Sequence, residues 1–273
     1  MAKVAVCQIV GDSTIEDNTR KMVKYIDQAA SRYPGLDVVV FPECCFGSPP
    51  TVLSMPDRGL HTEMIAEAAK KHHINVLAGS FMKKLENGKA SNTVYFYNRS
   101  GEIIFEYSKS HLMAGMGFRE ADFAEPGNKI GLLDTDFGRI GIILCYELRF
   151  PELARCLVMN GADILFCPAE FPGGKALPPR TDHWDILVRS MALTNLTWTV
   201  ACNNYGITPS GENPFGRSMV VDPWGTVISQ CRTCEDICYA ELDMEYQESV
   251  RDNVGGLRNR RPELYGDILK NRA

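Results

Sequence analysis

The sequence lacks several features that would assign it to whole classes of protein. It contains no apolar run of membrane-spanning length, no low-complexity segment and no linker. Its first residues lead directly into a strand-like pattern and lack the apolar core of a secretory signal. We therefore expect a cytoplasmic protein that does not act at a membrane and that folds as one domain over residues 1–273.

Clustered positive charge is also missing. The formal net charge is -5, and the basic run that ends at Arg261 is short and interleaved with acidic residues. Because proteins that bind nucleic acids neutralise phosphates with clustered Lys and Arg, this distribution argues against a nucleic-acid partner. The polar, Arg-rich stretch 253–273 shows little periodicity, and we predict that it is a C-terminal arm that packs on a partner subunit.

Disulfide bonds are not expected, although the chain has ten cysteines, because no secretory signal precedes them. Three cysteines form the pattern Cys231-x-x-Cys234-x-x-x-Cys238, which resembles part of a zinc site. No fourth ligand follows nearby, and structural zinc sites are tetrahedral. The alternative is three cysteines in a turn and an edge strand. We predict no metal and no cofactor.

Short apolar segments alternate with longer amphipathic ones, which is typical of an α/β domain. Hydrophobic residues make up 45% of the chain, enough for a sizeable core. Strands are predicted at 4–9, 36–41, 75–82, 91–98, 102–107, 138–144, 163–167, 198–203, 218–221, 227–230 and 237–242. Helices are predicted at 15–32, 61–73, 151–160 and 181–194.

Three chemically reactive side chains stand at or near predicted strand ends. Cys145 lies where an apolar strand breaks into a helix, Glu43 follows Val-Val-Val-Phe-Pro, and Lys109 follows the strand that ends near Tyr107. A sharp turn from a strand into a helix exposes the turn residue and directs helix N–H groups at it, so we expect this turn to favour the thiolate of Cys145. A thiol, a carboxylate and an ammonium are the parts of a thiol hydrolase that uses no histidine.

Each residue alone has a purely structural alternative. A cysteine at the end of a buried strand is usually a small core side chain. Glu43 can cap the next helix or face solvent, although burying a carboxylate without a partner is costly. A single lysine such as Lys109 is most often solvated. The functional interpretation depends on the three residues occurring together.

Further motifs follow one another in order along the chain, beginning with Phe41-Pro42-Glu43 and ending with Arg261-Pro262-Glu263-Leu264-Tyr265-Gly266. Between them lie Tyr107-Ser-Lys109-Ser-His111, Phe118-Arg119-Glu120, Pro126-Gly127, Leu144-Cys145-Tyr146-Glu147, His183-Trp184 and Asp222-Pro223-Trp224-Gly225. By these motifs the chain resembles the nitrilase, or carbon-nitrogen hydrolase, superfamily over essentially its full length.

This resemblance implies an α-β-β-α sandwich that pairs with a second subunit into an eight-layered homodimer. It also implies a Glu-Lys-Glu-Cys site. Glu43 is then the general base, Lys109 the cationic oxyanion partner, Glu120 the carboxylate that positions Lys109 and helps relay protons, and Cys145 the nucleophile. Glu120 follows from the resemblance alone, since nothing local distinguishes it from Glu125.

The residues after the nucleophile refine the expected substrate. Nitrile hydrolases of the superfamily usually carry Cys-Trp-Glu, whereas this chain has Cys-Tyr-Glu followed by Leu-Arg-Phe-Pro-Glu. That continuation is similar to the omega-amidase and deaminated-glutathione amidase branch, which implies hydrolysis of a small carboxylate-bearing amide through a thioester, with release of ammonia. N-carbamoyl-amine or nitrile hydrolysis remains an alternative, and so does a catalytically silent binding protein.

Three residues are expected to bind the substrate. The backbone N–H of Tyr146 is a second oxyanion donor, and Arg149 and Arg180 can hold a carboxylate by paired hydrogen bonds. Arg149 has the alternative of tying its turn to an acidic neighbour. Glu170 is expected near the acyl group, where its charge would repel a substrate carboxylate.

Overall fold

A computed structural model of the chain describes residues 1–12, 14–49, 52–115, 118–172, 181–209 and 211–265. The helices of this part are α1 (Ile15–Arg32), α2 (Leu60–His72), α3 (Pro151–Met159), α4 (Thr181–Asn195), α5 (Met244–Val254) and α6 (Pro262–Tyr265). The strands are β1 (Ala2–Gln8), β2 (Val38–Val40), β3 (Asn75–Lys84), β4 (Ala90–Tyr97), β5 (Ile103–Ser108), β6 (Ala114–Gly115), β7 (Phe118–Arg119), β8 (Gly131–Thr135), β9 (Gly138–Ile142), β10 (Ile164–Ala169), β11 (Trp198–Asn203), β12 (Met219–Val221), β13 (Val227–Gln230) and β14 (Asp236–Leu242).

The long strands form two six-stranded sheets. The first sheet has the order β14-β1-β2-β3-β4-β5, and the second has the order β13-β12-β11-β10-β9-β8. In each sheet three neighbouring strands run parallel, β1-β2-β3 in the first and β9-β10-β11 in the second, and antiparallel strands flank them. Parallel strands are buried on both faces, which is why Val38, Val39 and Val40 are all apolar and fully buried.

Three apolar clusters show how the layers stack. Alternate residues of both sheets, such as Val40 of β2 and Phe166 of β10, meet in one cluster between the sheets. The opposite face of the first sheet packs against α1 and α2, with Met22 and Ile65 in the contact. The opposite face of the second sheet packs against α3 and α4. The fold is therefore an α-β-β-α sandwich, as the resemblance implied.

Most predicted elements lie within a few residues of their observed positions, but β6, β7, β8, α5 and α6 were not predicted. Strand β8 carries only two apolar side chains, Leu132 and Leu133, and both are partly exposed at the sheet edge. Helix α5 has a weak apolar pattern, and its start is fixed instead by the Asp243 side chain, which accepts hydrogen bonds from the N–H groups of Glu245 and Tyr246. A cap is therefore the signal that could have located α5.

The chain turns sharply where β2 leaves the first sheet. Strand β3 is irregular between Leu77 and Ser80, and Gly79 between them has φ +62°. A Cβ atom on Gly79 would lie 2.0 Å from the carbonyl oxygen of Pro42. The turn that carries Glu43 therefore packs directly on the backbone of β3, where only glycine fits.

Two predictions fall wholly or partly outside the residues that the structure describes. Arg180 lies outside the described residues, and so do residues 266–273 of the C-terminal arm. Of the arm, α6 is described, and α5 ends within it at Val254. Within the described residues, no helix is both long and apolar enough to cross a membrane.

Candidate active site

Cys145 lies in a strained turn between the two elements that its sequence pattern predicted. Strand β9 ends at Ile142, a 3-10 helix spans Cys145–Arg149, and α3 begins at Pro151. Cys145 has φ 46°, a left-handed value that non-glycine residues rarely adopt. Its side chain remains partly accessible, and its Sγ lies 3.7 Å from the carbonyl oxygen of Glu170 at the end of β10. The turn thus presents the thiol at the carboxyl ends of two parallel strands.

The prediction that this turn favours the thiolate is wrong for the resting site. Burial raises the pKa of the Cys145 thiol well above its ordinary value, and the negative charge of Glu43 raises the pKa further, against the opposing effect of Lys109. The helix that begins at Cys145 is a five-residue 3-10 helix, too short to supply a large dipole. The thiol therefore needs a base to remove its proton.

Glu43 is positioned to be that base. Its carboxylate is buried, with Oε1 accepting from Lys109 Nζ at 2.8 Å and from Asn92 Nδ2 at 2.8 Å. Its Oε2 accepts from the backbone N–H of Glu170 at 2.9 Å, and its carbonyl oxygen accepts from Asn204 Nδ2 at 2.7 Å. The solvent-facing and helix-capping alternatives for Glu43 are therefore excluded.

Lys109 is also buried, with 2% of its surface exposed, so it is not a solvated lysine. Its Nζ lies 2.8 Å from Glu43 Oε1 and 3.1 Å from Glu120 Oε2. Burial lowers the pKa of Lys109, but the charges of Glu43 and Glu120 outweigh burial and raise the pKa well above its ordinary value. The group is an ammonium ion held between two carboxylates.

Glu120 starts a short 3-10 helix, Glu120–Asp122, after the small β6-β7 hairpin. Besides Lys109, its Oε2 accepts from the backbone N–H of Met113 at 2.7 Å, and its Oε1 accepts from Asn92 Nδ2 at 3.0 Å. The structure therefore brings all four residues of the expected Glu-Lys-Glu-Cys set to one place.

Two buried polar residues at the site were missed from the sequence. Asn92, in β4, donates to both Glu43 and Glu120. An asparagine inside an alternating strand gives no local signal of this contact, since its partners come from segments 49 and 28 residues away.

The second missed residue is Glu147, two residues after Cys145 and fully buried. It accepts from the backbone N–H groups of Leu144, Ser110 and His111 and from the hydroxyl of Tyr107. Burial would raise the pKa of Glu147, but these hydrogen bonds outweigh burial and lower it. The carboxylate joins the nucleophile turn to the segment that carries the lysine. Its presence in the Cys-Tyr-Glu motif was the available signal.

The carbon-nitrogen hydrolase family matches residues 3–252 of this chain. The chain belongs to this family. It is 31% identical to the omega-amidase of Saccharomyces cerevisiae over 283 residues, which cover 97% of this chain and 95% of the yeast protein. It is also 31% identical to the deaminated glutathione amidase of Bos taurus, over 97% of this chain and 84% of the bovine protein. Both matches fit the branch that the motifs indicated.

Solved structures of carbon-nitrogen hydrolases share the fold. A Saccharomyces cerevisiae protein of branch 10 of the nitrilase superfamily superposes with a TM-score of 0.82 at 30% identity, covering 93% of this chain and 94% of that one. A carbon-nitrogen hydrolase from Helicobacter pylori superposes with a TM-score of 0.91 at 25% identity, covering 100% and 99%. The predicted fold class is confirmed.

Of the three residues expected to bind the substrate of this carbon-nitrogen hydrolase, the structure describes Tyr146 and Arg149. The backbone N–H of Tyr146 lies in the first turn of the 3-10 helix, where N–H groups have no acceptor within the helix. Arg149 is partly exposed, and its guanidinium carbon lies 5.6 Å from the centre of the Phe171 ring. Within the described ranges no carboxylate forms an ion pair with Arg149, so the alternative of an acidic neighbour is not supported.

Glu170 contacts both Glu43 and Cys145 through its backbone. Its Oε1 accepts from Ser48 Oγ at 2.7 Å. Burial raises the pKa of Glu170 to about 8, with further contributions from the charges of Glu43 and Glu212. At neutral pH the side chain is therefore mostly a neutral acid, which weakens the expected repulsion of a substrate carboxylate.

The three cysteines of the zinc-like pattern do not form a site together with other ligands. Cys231 and Cys238 are buried and Cys234 is partly exposed. Among the residues that the structure describes, no group of three or more His, Cys, Asp or Glu side chains is arranged to hold a metal ion.

Proposed function

We propose that this carbon-nitrogen hydrolase is a cysteine amidase that cleaves a small carboxylate-bearing amide through a thioester and releases ammonia. The observation that carries the proposal is the position of Lys109, buried between two carboxylates, one of which, Glu43, binds the N–H of Glu170, the residue whose carbonyl oxygen lies 3.7 Å from Cys145 Sγ. A lysine in that place has a role in stabilising negative charge that forms beside the thiol.

The first half-reaction forms the acyl-enzyme. Glu43 takes the proton of Cys145, and the thiolate attacks the amide carbon. The oxyanion that forms is stabilised by the ammonium of Lys109 and the N–H of Tyr146, each typically contributing about 3 to 4 kcal/mol. Glu43 then returns its proton to the leaving nitrogen, so that ammonia departs and a thioester remains.

The second half-reaction uses the same groups. Glu43, again a carboxylate, removes a proton from water, and the hydroxide attacks the thioester carbon. Lys109 and Tyr146 stabilise the second oxyanion, and Cys145 leaves with the proton from Glu43. Glu120 keeps Lys109 in place and balances its charge through both steps.

The substrate class is supported by the charges around the acyl pocket. Arg149 has a partly exposed guanidinium beside Phe171, the residue that follows Glu170. A planar guanidinium can bind a carboxylate with two parallel hydrogen bonds. The relatives named omega-amidase and deaminated glutathione amidase support the same class. Arg180 is the second proposed carboxylate ligand.

Comparing kcat/KM for a carboxylate amide, its methyl ester and an amino analogue tests this class. We expect the acid to be preferred by roughly 10- to 100-fold, the value of a desolvated charge-assisted contact. The preference should shrink in Arg149→Met, whereas Arg155→Met, at a residue of α3 whose guanidinium binds the carbonyl oxygen of Thr194, should retain it. Equal values for the acid and its ester would contradict the proposal. Ammonia release from N-carbamoyl amines and nitriles, measured alongside, decides between the hydrolase alternatives.

We also propose that the protein is a cytoplasmic homodimer. Ile186 and Leu193 are exposed on α4, and Trp224 is exposed on the adjoining turn, which Arg189 ties to α4 through the carbonyl oxygen of Gly225. Exposed apolar side chains on neighbouring elements of this kind support subunit pairing. Ten free cysteines support a reducing compartment.

Light scattering at micromolar concentration tests the pairing. A mass of twice 30.4 kDa or more is expected. Replacing Leu193 with Glu should shift the population toward monomer, and Leu60→Glu, on α2, should not. A stable 30.4 kDa wild-type monomer would contradict the proposal.

A further inference from the structure

Asn92 holds both site carboxylates on a single amide group. The residue lies in β4 with 2% of its surface exposed. Its Nδ2 donates to Glu43 Oε1 at 2.8 Å and to Glu120 Oε1 at 3.0 Å. An amide nitrogen carries two protons, so each carboxylate receives one of them.

Lys109 bridges the same two carboxylates, so four side chains form a closed ring in the order Glu43, Lys109, Glu120, Asn92. The ring contains two negative charges and one positive charge, all buried. Neighbouring carboxylates favour protonation of one another, and hydrogen bonds to the charged form oppose this effect. Asn92 supplies one such bond to each carboxylate without adding charge.

The ring also determines which oxygen of Glu43 can act as the base. Oε1 already accepts two N–H groups, from Lys109 and Asn92, whereas Oε2 accepts one, the backbone N–H of Glu170. The carbonyl group of the same residue, Glu170, lies 3.7 Å from Cys145 Sγ. Glu43 Oε2, which accepts fewer hydrogen bonds than Oε1, is therefore the oxygen held at Glu170, next to the thiol of Cys145.

We propose that Asn92 is a positioning residue: by tying Glu43 Oε1 to Glu120, it fixes Glu43 so that Oε2 takes the proton of Cys145. In this step the S–H bond breaks, the proton moves to Oε2, and the electron pair stays on sulfur. The inference rests on the proposed function in one respect, the role of Glu43 as base for Cys145.

The experiment measures how pH controls the reactivity of Cys145 without any amide substrate. Wild type, Asn92→Leu and Asn92→Asp are treated from acid to alkaline pH with methyl methanethiosulfonate, a neutral thiol reagent that contains no C–N bond, and modification of the Cys145 peptide is followed by mass spectrometry. The groups that face Glu43 and act on its titration are Lys109, Cys145, Glu170 and, through the ring, Glu120. None of these is changed in the variants.

In Asn92→Leu, loss of a hydrogen bond to the carboxylate favours protonated Glu43. The acidic limb of the rate–pH profile, where the rate of Cys145 modification falls as pH decreases, should therefore move up by about one pH unit. At a given acid pH this is a roughly tenfold loss of rate, since a bond to a charged group contributes about 1.5 kcal/mol. The rate should recover toward wild type at alkaline pH. Asn92→Asp adds a third carboxylate and should shift the limb further.

The matched control is Thr93→Val, on the neighbouring residue of β4. Thr93 is buried but bonds to Ser91 and Ser108, away from the carboxylates. In Thr93→Val the rate of Cys145 modification should fall at the same acid pH as in wild type. Thermal melting checks the fold of each variant, and Asn92→Ser replaces Asn92→Leu if the latter does not fold.

An acidic limb that stays at the wild-type pH in folded Asn92 variants would overturn the inference, and so would a loss of rate that is uniform across pH. If the rate of Cys145 modification in wild type falls at acid pH as expected but the protein hydrolyses no amide, the proposed function is overturned and the role of Asn92 still stands.

Discussion

At the scale of single residues, the site places one ammonium between two carboxylates at a thiol that is protonated at rest. Burial keeps the proton on Cys145, and Glu43 is held by three hydrogen bonds to its carboxylate. Proton transfer and nucleophilic attack are therefore coupled to one carboxylate, which is the arrangement that a two-step acyl transfer needs.

Replacing Lys109 tests its role in stabilising the oxyanion. Lys109→Met should lose at least about 100-fold in kcat, the loss expected for one oxyanion donor. The variant also leaves Glu43 and Glu120 facing each other without a cation, so we expect a lower melting temperature. Lys83→Met, which removes a surface ion pair with Glu106 and Asp57, is the control. A near-normal kcat in folded Lys109→Met would contradict the assigned role.

The raised pKa of Glu170 predicts a pH dependence that is specific to charged substrates. Below about pH 8 the side chain is a neutral acid, and above it the side chain becomes an anion beside the proposed acyl pocket. KM for a carboxylate amide should therefore rise as pH increases through about 8 in wild type. Glu170→Gln should abolish this rise, and a neutral amide should show none in either protein. An identical KM profile for both substrates in wild type would rule out this effect.

Which site residues can be read from the sequence depends on where they lie. Glu43, Lys109 and Cys145 each follow a strand, so the pattern of the chain locates them. Glu120 is recognisable only by resemblance, because its partners are set by the path of the chain from Lys109 onward. Asn92 could not be predicted, since its function comes from contacts between segments distant in sequence.

At the scale of elements, the turns after the strands matter more than the strands themselves. The 3-10 helix Cys145–Arg149 is fixed from inside by Glu147, whose carboxylate also binds the N–H groups of Ser110 and His111. Glu147 thereby joins the turn of Cys145, which follows the second sheet, to the segment after Lys109, which follows the first. This connection keeps Cys145 and Lys109 at a constant separation.

Glu147→Gln should destabilise the fold by about 2 to 3 kcal/mol at neutral pH, because an amide cannot accept from all of these donors. The pKa of Glu147 is lower in the folded protein than its ordinary value. Its contribution is therefore fully present above that ordinary value and is lost as pH falls through the lowered one. Urea unfolding at neutral and acid pH measures this, with the exposed Glu152→Gln as control. A difference that does not change with pH would contradict the account.

The elements differ in how well their sequences specify them. Helix α1 was predicted with its observed ends because its apolar spacing is regular and Thr14 caps it. Strand β8 was missed because an edge strand with half-buried side chains lacks a clear alternation of apolar and polar residues. Prediction was most accurate where one face of the element is fully buried.

At the scale of the whole molecule, the sandwich builds the site from both of its sheets. The first sheet supplies Glu43, Lys109 and Asn92, and the second supplies Cys145 and Glu170. Periodicity alone predicted an α/β domain with a mixed sheet system. The division into two stacked sheets came from the resemblance, because pairing between strands that are far apart in sequence leaves no local pattern.

The central claim is that Cys145 carries the acyl group. Mass spectrometry of enzyme quenched rapidly during turnover of a carboxylate amide should show a thioester adduct on the Cys145 peptide. Cys145→Ala should show no adduct and no turnover, whereas Cys156→Ala, at an exposed cysteine of α3, should behave as wild type. Full turnover by Cys145→Ala, or an adduct on any other residue, would contradict the account.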